Sequence, residues 1–109
     1  MTADRRVRVG SSTEFREGVI TACNIGGTEV ILIRLRGSLV CYLDRCAHQP
    51  IKLSEFGELN GSVLVCHAHG GGFDVAKGGR VLCGPPKDAL TSFKCIEDNG
   101  EVFVIIDKK

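Results

Sequence analysis

Residues 66–73 read CHAHGGGF, and a quieter stretch upstream, residues 45–50, reads RCAHQP. Each carries a cysteine and a histidine at metal-ligand spacing: Cys46-x-His48 and Cys66-x-x-His69, with seventeen residues between His48 and Cys66. A single cysteine is most often packing, and a single histidine is most often a surface group. Two Cys–His pairs, each on a loop flanked by glycine or proline, are poorly explained that way. Thiolate and imidazole donors from two adjacent loops can surround one metal centre. A closed tetrahedral zinc site of two Cys and two His is one such centre. Its spacing is unfavourable, because Cys-x-His is shorter than a usual zinc knuckle and no recognition helix follows.

Outward from the two boxes, the chain reads as strands and turns. The runs VITACNIGG (19–27) and TEVILIRLRG (28–37) meet at Gly26-Gly27, a hairpin signal. The second run is apolar on both faces at its start, as a central strand would be. SLVCYLDR (38–45) follows Gly37, with Leu39, Cys41 and Leu43 on one face. SVLVC (62–66) follows the turn residues Asn60-Gly61, and LTSFKCIED and EVFVIID flank Asn99-Gly100, a type I′ hairpin signal. Helix is expected only at SSTEFREG (11–18), where Ser11 or Ser12 caps, Glu14 sits in the first turn and Gly18 terminates. The segments 47–61 and 70–86 have no clean period and read as excursions from a small antiparallel β-sandwich or barrel. Excursions of this kind are where functional groups are usually carried.

The chain has 109 residues, 25% charged and 43% hydrophobic, with a formal net charge of +1. That length fits one domain, and the charge balance argues against nucleic acid, whose binders gather basic residues on one face. RRVR at 5–8 and the C-terminal lysines are read as solvated ends. No apolar run approaches the ~20 residues needed to span a bilayer. MTADRRVRVG lacks the apolar core of a secretory signal, so a cytoplasmic location and reduced cysteines are expected.

Cys-x-His, seventeen residues, Cys-x-x-His, then GGGFD and later GPP at 84–86, resembles the Rieske ferredoxin family. The resemblance spans most of the chain. It implies an all-β fold of Rieske iron–sulfur-protein type: a small antiparallel three-sheet sandwich over residues 1–109, with a cluster-binding part at about 45–86. That part would consist of two ligand loops and a covering proline loop at Gly84-Pro85-Pro86. By resemblance, Cys46 and Cys66 bind one iron of a [2Fe-2S] cluster, and His48 and His69 bind the other, nearer the surface. His67 falls at a non-ligand position. Glycines 70–72 would let backbone N–H groups approach the inorganic sulfides. Cys23, Cys41, Cys83 and Cys95 are read as buried thiols without a metal role.

The ligand set has an electrostatic logic. An oxidised core of charge +2 with two thiolates and two neutral imidazoles is neutral, whereas four thiolates would leave it at −2. Adding an electron to a neutral site costs much less than adding one to a dianion in a low-dielectric environment. Histidine ligation therefore raises the potential above that of plant-type clusters. All three histidines lie in or beside the boxes, and no spare one is available for general-base chemistry. Nor is there chain for a mononuclear iron domain. The resemblance thus implies an electron carrier rather than an enzyme. It would take single electrons from an NAD(P)H-dependent flavoprotein reductase and deliver them to a terminal aromatic-ring oxygenase, either a dioxygenase or a di-iron monooxygenase. The alternatives are the small subunit of an assimilatory nitrite reductase, another Rieske-type redox subunit, or a structural zinc module.

One prediction follows from residues that are not there. High-potential relatives carry a further cysteine in each box, forming a loop-tying disulfide; the corresponding residues here are Ile51 and Ala68. They also carry a serine and a tyrosine whose hydroxyls donate to sulfur, where this chain has Gly71 and Phe73. Without those donors the reduced, more negative cluster is less stabilised. The midpoint should lie near the low end of the family range, roughly −150 mV rather than about +300 mV. A redox titration followed by EPR checks this; a midpoint well above zero contradicts it.

Overall fold

The computed structural model describes residues 4–45, 52–66, 71–83 and 90–107. Ten strands carry most of them: β1 (Asp4–Ser11), β2 (Ile20–Ile25), β3 (Thr28–Leu35), β4 (Ser38–Leu43), β5 (Gly57–Asn60), β6 (Val63–Cys66), β7 (Gly71–Asp74), β8 (Arg80–Cys83), β9 (Ser92–Asp98) and β10 (Glu101–Asp107). Every strand pairing is antiparallel. One sheet runs β1-β10-β9-β4-β3-β2 and a second runs β5-β6-β7-β8. Between β9 and β4 the first sheet is joined at only two paired positions, Cys41–Phe93 and Tyr42–Ser92. This narrow seam lets its two halves fold onto each other, which yields the expected three layers.

Strand β3 is the centre. Val30, Ile31, Leu32 and Ile33 are all fully buried. Because alternate residues point to opposite faces, the strand feeds two cores at once. On one face Val30 and Leu32 pack with Phe15, Cys41, Val102 and Val104, joining the two halves of the long sheet. On the other, Ile31 and Ile33 pack with Tyr42, Leu53, Leu64, Cys66, Phe73, Val75 and Leu90, docking the four-stranded sheet. At about 1.5–3 kcal/mol for each large apolar side chain fully buried, this strand contributes more to the fold than any turn.

The expected hairpins are present. Gly26 and Gly27 have φ of 57° and 94°, and Asn99 and Gly100 have φ of 55° and 77°. A type I′ turn requires positive φ at both central positions, which glycine and asparagine tolerate best. Helix at 11–18 shrinks to a single 3-10 turn, Ser12–Glu14, started by a capping box between Ser11 and Glu14. Arg34 donates to two carbonyls at this turn, Phe15 O (2.6 Å) and Ser12 O (3.1 Å), and to Gly37 O (2.9 Å) after β3. Arg34 also pairs with Glu97 at 2.8 Å, and Ser12 Oγ donates to Glu97 as well. The Arg34 hydrogen bond holds the Glu97 carboxyl below the usual carboxylate range.

Two expectations are corrected. RRVR is not a solvated end: β1 pairs with β10 from Asp4–Asp107 to Ser11–Glu101. Arg6 and Arg8 are exposed, and Arg6 pairs with Asp98 (2.9 Å) and lies 4.2 Å over the Phe103 ring. Nor are the segments after Ala47 and after Gly70 wholly irregular. They contain a short helix α1 (Leu53–Phe56) and strands β5, β7 and β8. Four-residue strands are too short for a two-residue period to register against glycine-rich flanks.

The turn between β7 and β8 is locked from inside. Tyr42 Oη donates to Val75 O at 2.6 Å, and Gly79 N donates to Asp74 O at 2.8 Å. A Cβ at Gly79 would come within 2.8 Å of Tyr42 Cε1 and 2.9 Å of Leu90 Cβ, whereas one at Gly78 would meet nothing within 4 Å. Both glycines have positive φ, 74° and 78°. Gly78→Ala should therefore cost about 1–2 kcal/mol for the left-handed backbone alone. Gly79→Ala should cost about 1–3 kcal/mol beyond that for overpacking. Urea denaturation of the two variants measures the difference, and equal midpoints would refute the packing argument.

Candidate metal centre

The four-stranded sheet is inserted between β4 and β9, and it leaves and returns at one place, where Leu43 N donates to Thr91 O at 2.8 Å. Its register decides where the site lies. Gly57 pairs with Cys66, Cys66 with Gly71, and Gly72 with Cys83. The start of β5, the end of β6, the start of β7 and the end of β8 therefore stand side by side at one end of the sheet. The segments 67–70 and 84–89 both spring from that end. Antiparallel pairing with two short reversals makes this unavoidable: β6 must hand over to β7 where β8 hands on to the next segment.

Cys66 sits at the centre of this end. It is fully buried, in the same core as Leu53, Leu64 and Phe73. Directly paired residues in an antiparallel sheet project from the same face, and both of Cys66's cross-strand partners are glycine. Neither directly paired residue therefore places a side chain against the thiol. Gly57 is also constrained from below, since a Cβ there would lie 2.5 Å from Leu53 O and 3.1 Å from Leu64 Cδ1. Gly71, Gly72 and Phe73 are buried. A sulfur donor bordered by bare backbone is what a bulky inorganic group with hydrogen-bond-accepting sulfides requires, so the residues present fit such a group.

The residues flanking the first box, Asp44 and α1, reach this end. Asp44, at 6% exposure the one buried charged residue among those described, accepts from Ser54 N at 2.8 Å and from Ser54 Oγ at 2.5 Å. Ser54 lies in α1, whose Leu53 carbonyl abuts Gly57, the partner of Cys66. Asp44, α1, Gly57 and Cys66 thus form one continuous contact chain. Cys46, His48, His67 and His69 lie outside the described residues, as do Ile51, Ala68 and the Gly84-Pro85-Pro86 loop. Among the described residues, no group of three or more His, Cys, Asp or Glu comes together as a metal site. Ser54 and Asp44 were not singled out from sequence; a polar pair ten residues apart carries no periodic signal.

Cys83 ends β8 at this same end, opposite Gly72, and its side chain lies outside what the structure describes; three other cysteines are elsewhere. Cys41 is buried and Cys23 and Cys95 are partly buried, all against the other core. Burial raises all three thiols: Cys95 is pushed up to about 11, Cys41 and Cys23 also upward. Cys95 Sγ donates to Leu39 O at 3.0 Å. Protonated thiols in a second core are poor metal donors. The expectation of buried thiols holds fully for Cys41 and partly for Cys23 and Cys95.

Residues 5–94 match the Rieske [2Fe-2S] domain. The chain belongs to the Rieske [2Fe-2S] family. It is 31% identical to the ferredoxin CarAc of Metapseudomonas resinovorans over 94% of this chain and 95% of that protein. It is also 31% identical to the ferredoxin component of the alkene monooxygenase system of Xanthobacter autotrophicus, over 81% of this chain and 70% of that one. A solved complex of reduced oxygenase and oxidised ferredoxin in carbazole 1,9a-dioxygenase contains a chain that superposes with a TM-score of 0.84 at 30% identity, covering 95% of both chains. Its cofactor is therefore a Rieske-type [2Fe-2S] cluster, which sets the zinc reading aside. It is an electron carrier of the ferredoxin type, not a catalytic oxygenase. No helix among the described residues is long and apolar enough to cross a membrane.

Gly57 offers a test of this end of the sheet. The contact a Cβ would make is with backbone, so no rotamer change relieves it. Gly57→Ala should cost about 1–3 kcal/mol and lower iron content per purified chain, because relief must move β5, and with it the Cys66 pairing. Full iron loading with an unchanged melting temperature would show that the end of the sheet tolerates the shift.

Proposed function

We propose that this chain is the ferredoxin component of a multicomponent oxygenase system, taking single electrons from an NAD(P)H-dependent flavoprotein reductase and passing them to a terminal oxygenase. The observation that carries the reading is Cys66, buried at the end of β6 between two glycine partners, from which the second box continues to His69. In this reading Cys46 and Cys66 hold one iron, and His48 and His69 hold the other. When bound, the cluster supplies a one-electron acceptor and donor. The chain's own part is to bury the thiolate side, to offer backbone N–H groups at 70–72, and to leave the imidazole side outermost for transfer.

A chain of the carbazole 1,9a-dioxygenase complex and the ferredoxin component of an alkene monooxygenase system resemble this chain at 30% and 31% identity, so the terminal partner is an oxygenase of either kind. Their names as ferredoxin components favour a carrier over the small subunit of a nitrite reductase. A cytoplasmic location, a single domain over 1–109, and a partner surface at the cluster end belong to the same reading.

Separate variants test the ligand set. Cys46→Ser and His69→Ala should each abolish the intact cluster, whereas Cys23→Ser and Cys95→Ser should leave the visible spectrum unchanged. His69→Ala protein with a normal Rieske EPR signal would sink the assignment. Reconstitution with a flavoprotein reductase and an aromatic-ring oxygenase then tests the role: product formation should depend on this chain and cease with His69→Ala.

A further inference from the structure

We propose that Asp44 is a positioning residue for the cluster, its carboxylate latched by Ser54 so as to fix both ends of the loop that carries Cys46 and His48. The proposal rests on the ligand assignment above. It begins with a contrast between the two loops. The second is closed by ladder pairing, Cys66 against Gly71. The first is closed by a side chain: Asp44 Oδ1 takes Ser54 N at 2.8 Å, and Oδ2 takes Ser54 Oγ at 2.5 Å. Backbone reinforces it, since Asp44 N donates to Glu29 O at 2.8 Å. Lys52 Nζ, at the far side of the loop, pairs with Glu29 Oε2 at 2.9 Å. One residue of β3 thus holds the start of the loop by its carbonyl and the end by its carboxylate, while Leu53 beneath is fully buried.

Burying a carboxylate is costly unless its oxygens are satisfied. Here each oxygen has a donor, as an ionised acceptor-only group requires. A neutral or apolar residue would serve core stability at least as well. What a carboxylate adds, two residues before the Cys46 ligand, is a two-pronged grip on both the backbone and the hydroxyl of Ser54. Its negative charge has a second effect. A fixed anion two residues from a cluster ligand opposes the arrival of an electron and so lowers the potential, in the direction expected from the missing sulfur-directed hydroxyls.

The test uses the full-length holoprotein and three variants. Asp44→Asn keeps the volume but removes the charge and turns one acceptor into a donor. Ser54→Ala removes one hydrogen bond and leaves the charge. Glu97→Gln is the control: it loosens the Arg34 network, which lies on the other side of the fold. Iron release to a chelator below the melting transition should accelerate by about tenfold or more in Asp44→Asn, as when the partner of a metal ligand is lost. A smaller acceleration is expected in Ser54→Ala. The EPR lines should shift or broaden in both, and the midpoint should rise in Asp44→Asn above that of Ser54→Ala. Glu97→Gln should lower the melting temperature without altering release, EPR or midpoint.

If Asp44→Asn fails to load, Ser54→Ala decides alone: wild-type release and EPR in that variant overturn the proposal. So does a Glu97→Gln protein that matches the other two at equal loss of melting temperature, because the effect would then be general loosening. Failure of the ligand assignment reads differently, as a Cys46→Ser protein that keeps its cluster.

Discussion

Strand β3 must be covered on both faces, and the molecule is arranged around that requirement. Four successive residues, Val30 to Ile33, are out of contact with water. A strand so apolar needs a layer on either side. One is supplied by β10 and β1 folding back over the narrow β4–β9 seam. The other is the inserted four-stranded sheet, whose inner residues Leu64, Phe73 and Val75 have no other core to join. The metal-binding end is therefore not an appendage on a finished sandwich. It is one of the two covers that β3 needs, and Cys66 itself belongs to that cover's core.

This coupling explains how a small domain can hold ligand loops that are rich in glycine and poor in regular structure. Glycine lowers the intrinsic stability of a strand, yet Gly57, Gly71 and Gly72 all occur in paired strands at the cluster end. At Gly57 the missing side chain lets the Leu53 carbonyl and Leu64 Cδ1 come close beside the strand that pairs with Cys66. The cost of those glycines is offset by the packing of Leu53, Leu64, Phe73 and Val75 against β3. Asp44 and Ser54 then close the first loop with hydrogen bonds that a ladder cannot supply there. Stability and cofactor geometry thus draw on the same core.

The surface charges have a lesser part. The Arg6–Asp98 and Lys52–Glu29 pairs are largely exposed, and pairs of that kind contribute little, about 0–1 kcal/mol. Arg34 is different, because its side chain is 14% exposed and its donors reach three carbonyls besides Glu97. It replaces the helix that SSTEFREG suggests: the Phe15 carbonyl finds the guanidinium rather than a following turn of backbone, and Ser12 O accepts from it as well as from Phe15 N. A residue nineteen positions away thereby overrides a local cap signal.

The sequence by itself determined the family, the cofactor and the β character. Cys46-x-His48 and Cys66-x-x-His69 are local spacings of rare donors, and the turns at Gly26-Gly27 and Asn99-Gly100 follow from local conformational preference. Those signals reside in neighbouring residues and need no partner. What only the tertiary structure decided is non-local. That RRVR is a paired strand depends on β10, a hundred residues on. That β5, β7 and β8 exist depends on cross-strand register, which four-residue runs cannot announce by period. And that Asp44 grips Ser54 depends on a loop bringing them together, for which the intervening sequence gives no periodic sign. Local chemistry nominates the donors; long-range packing chooses what surrounds Cys66.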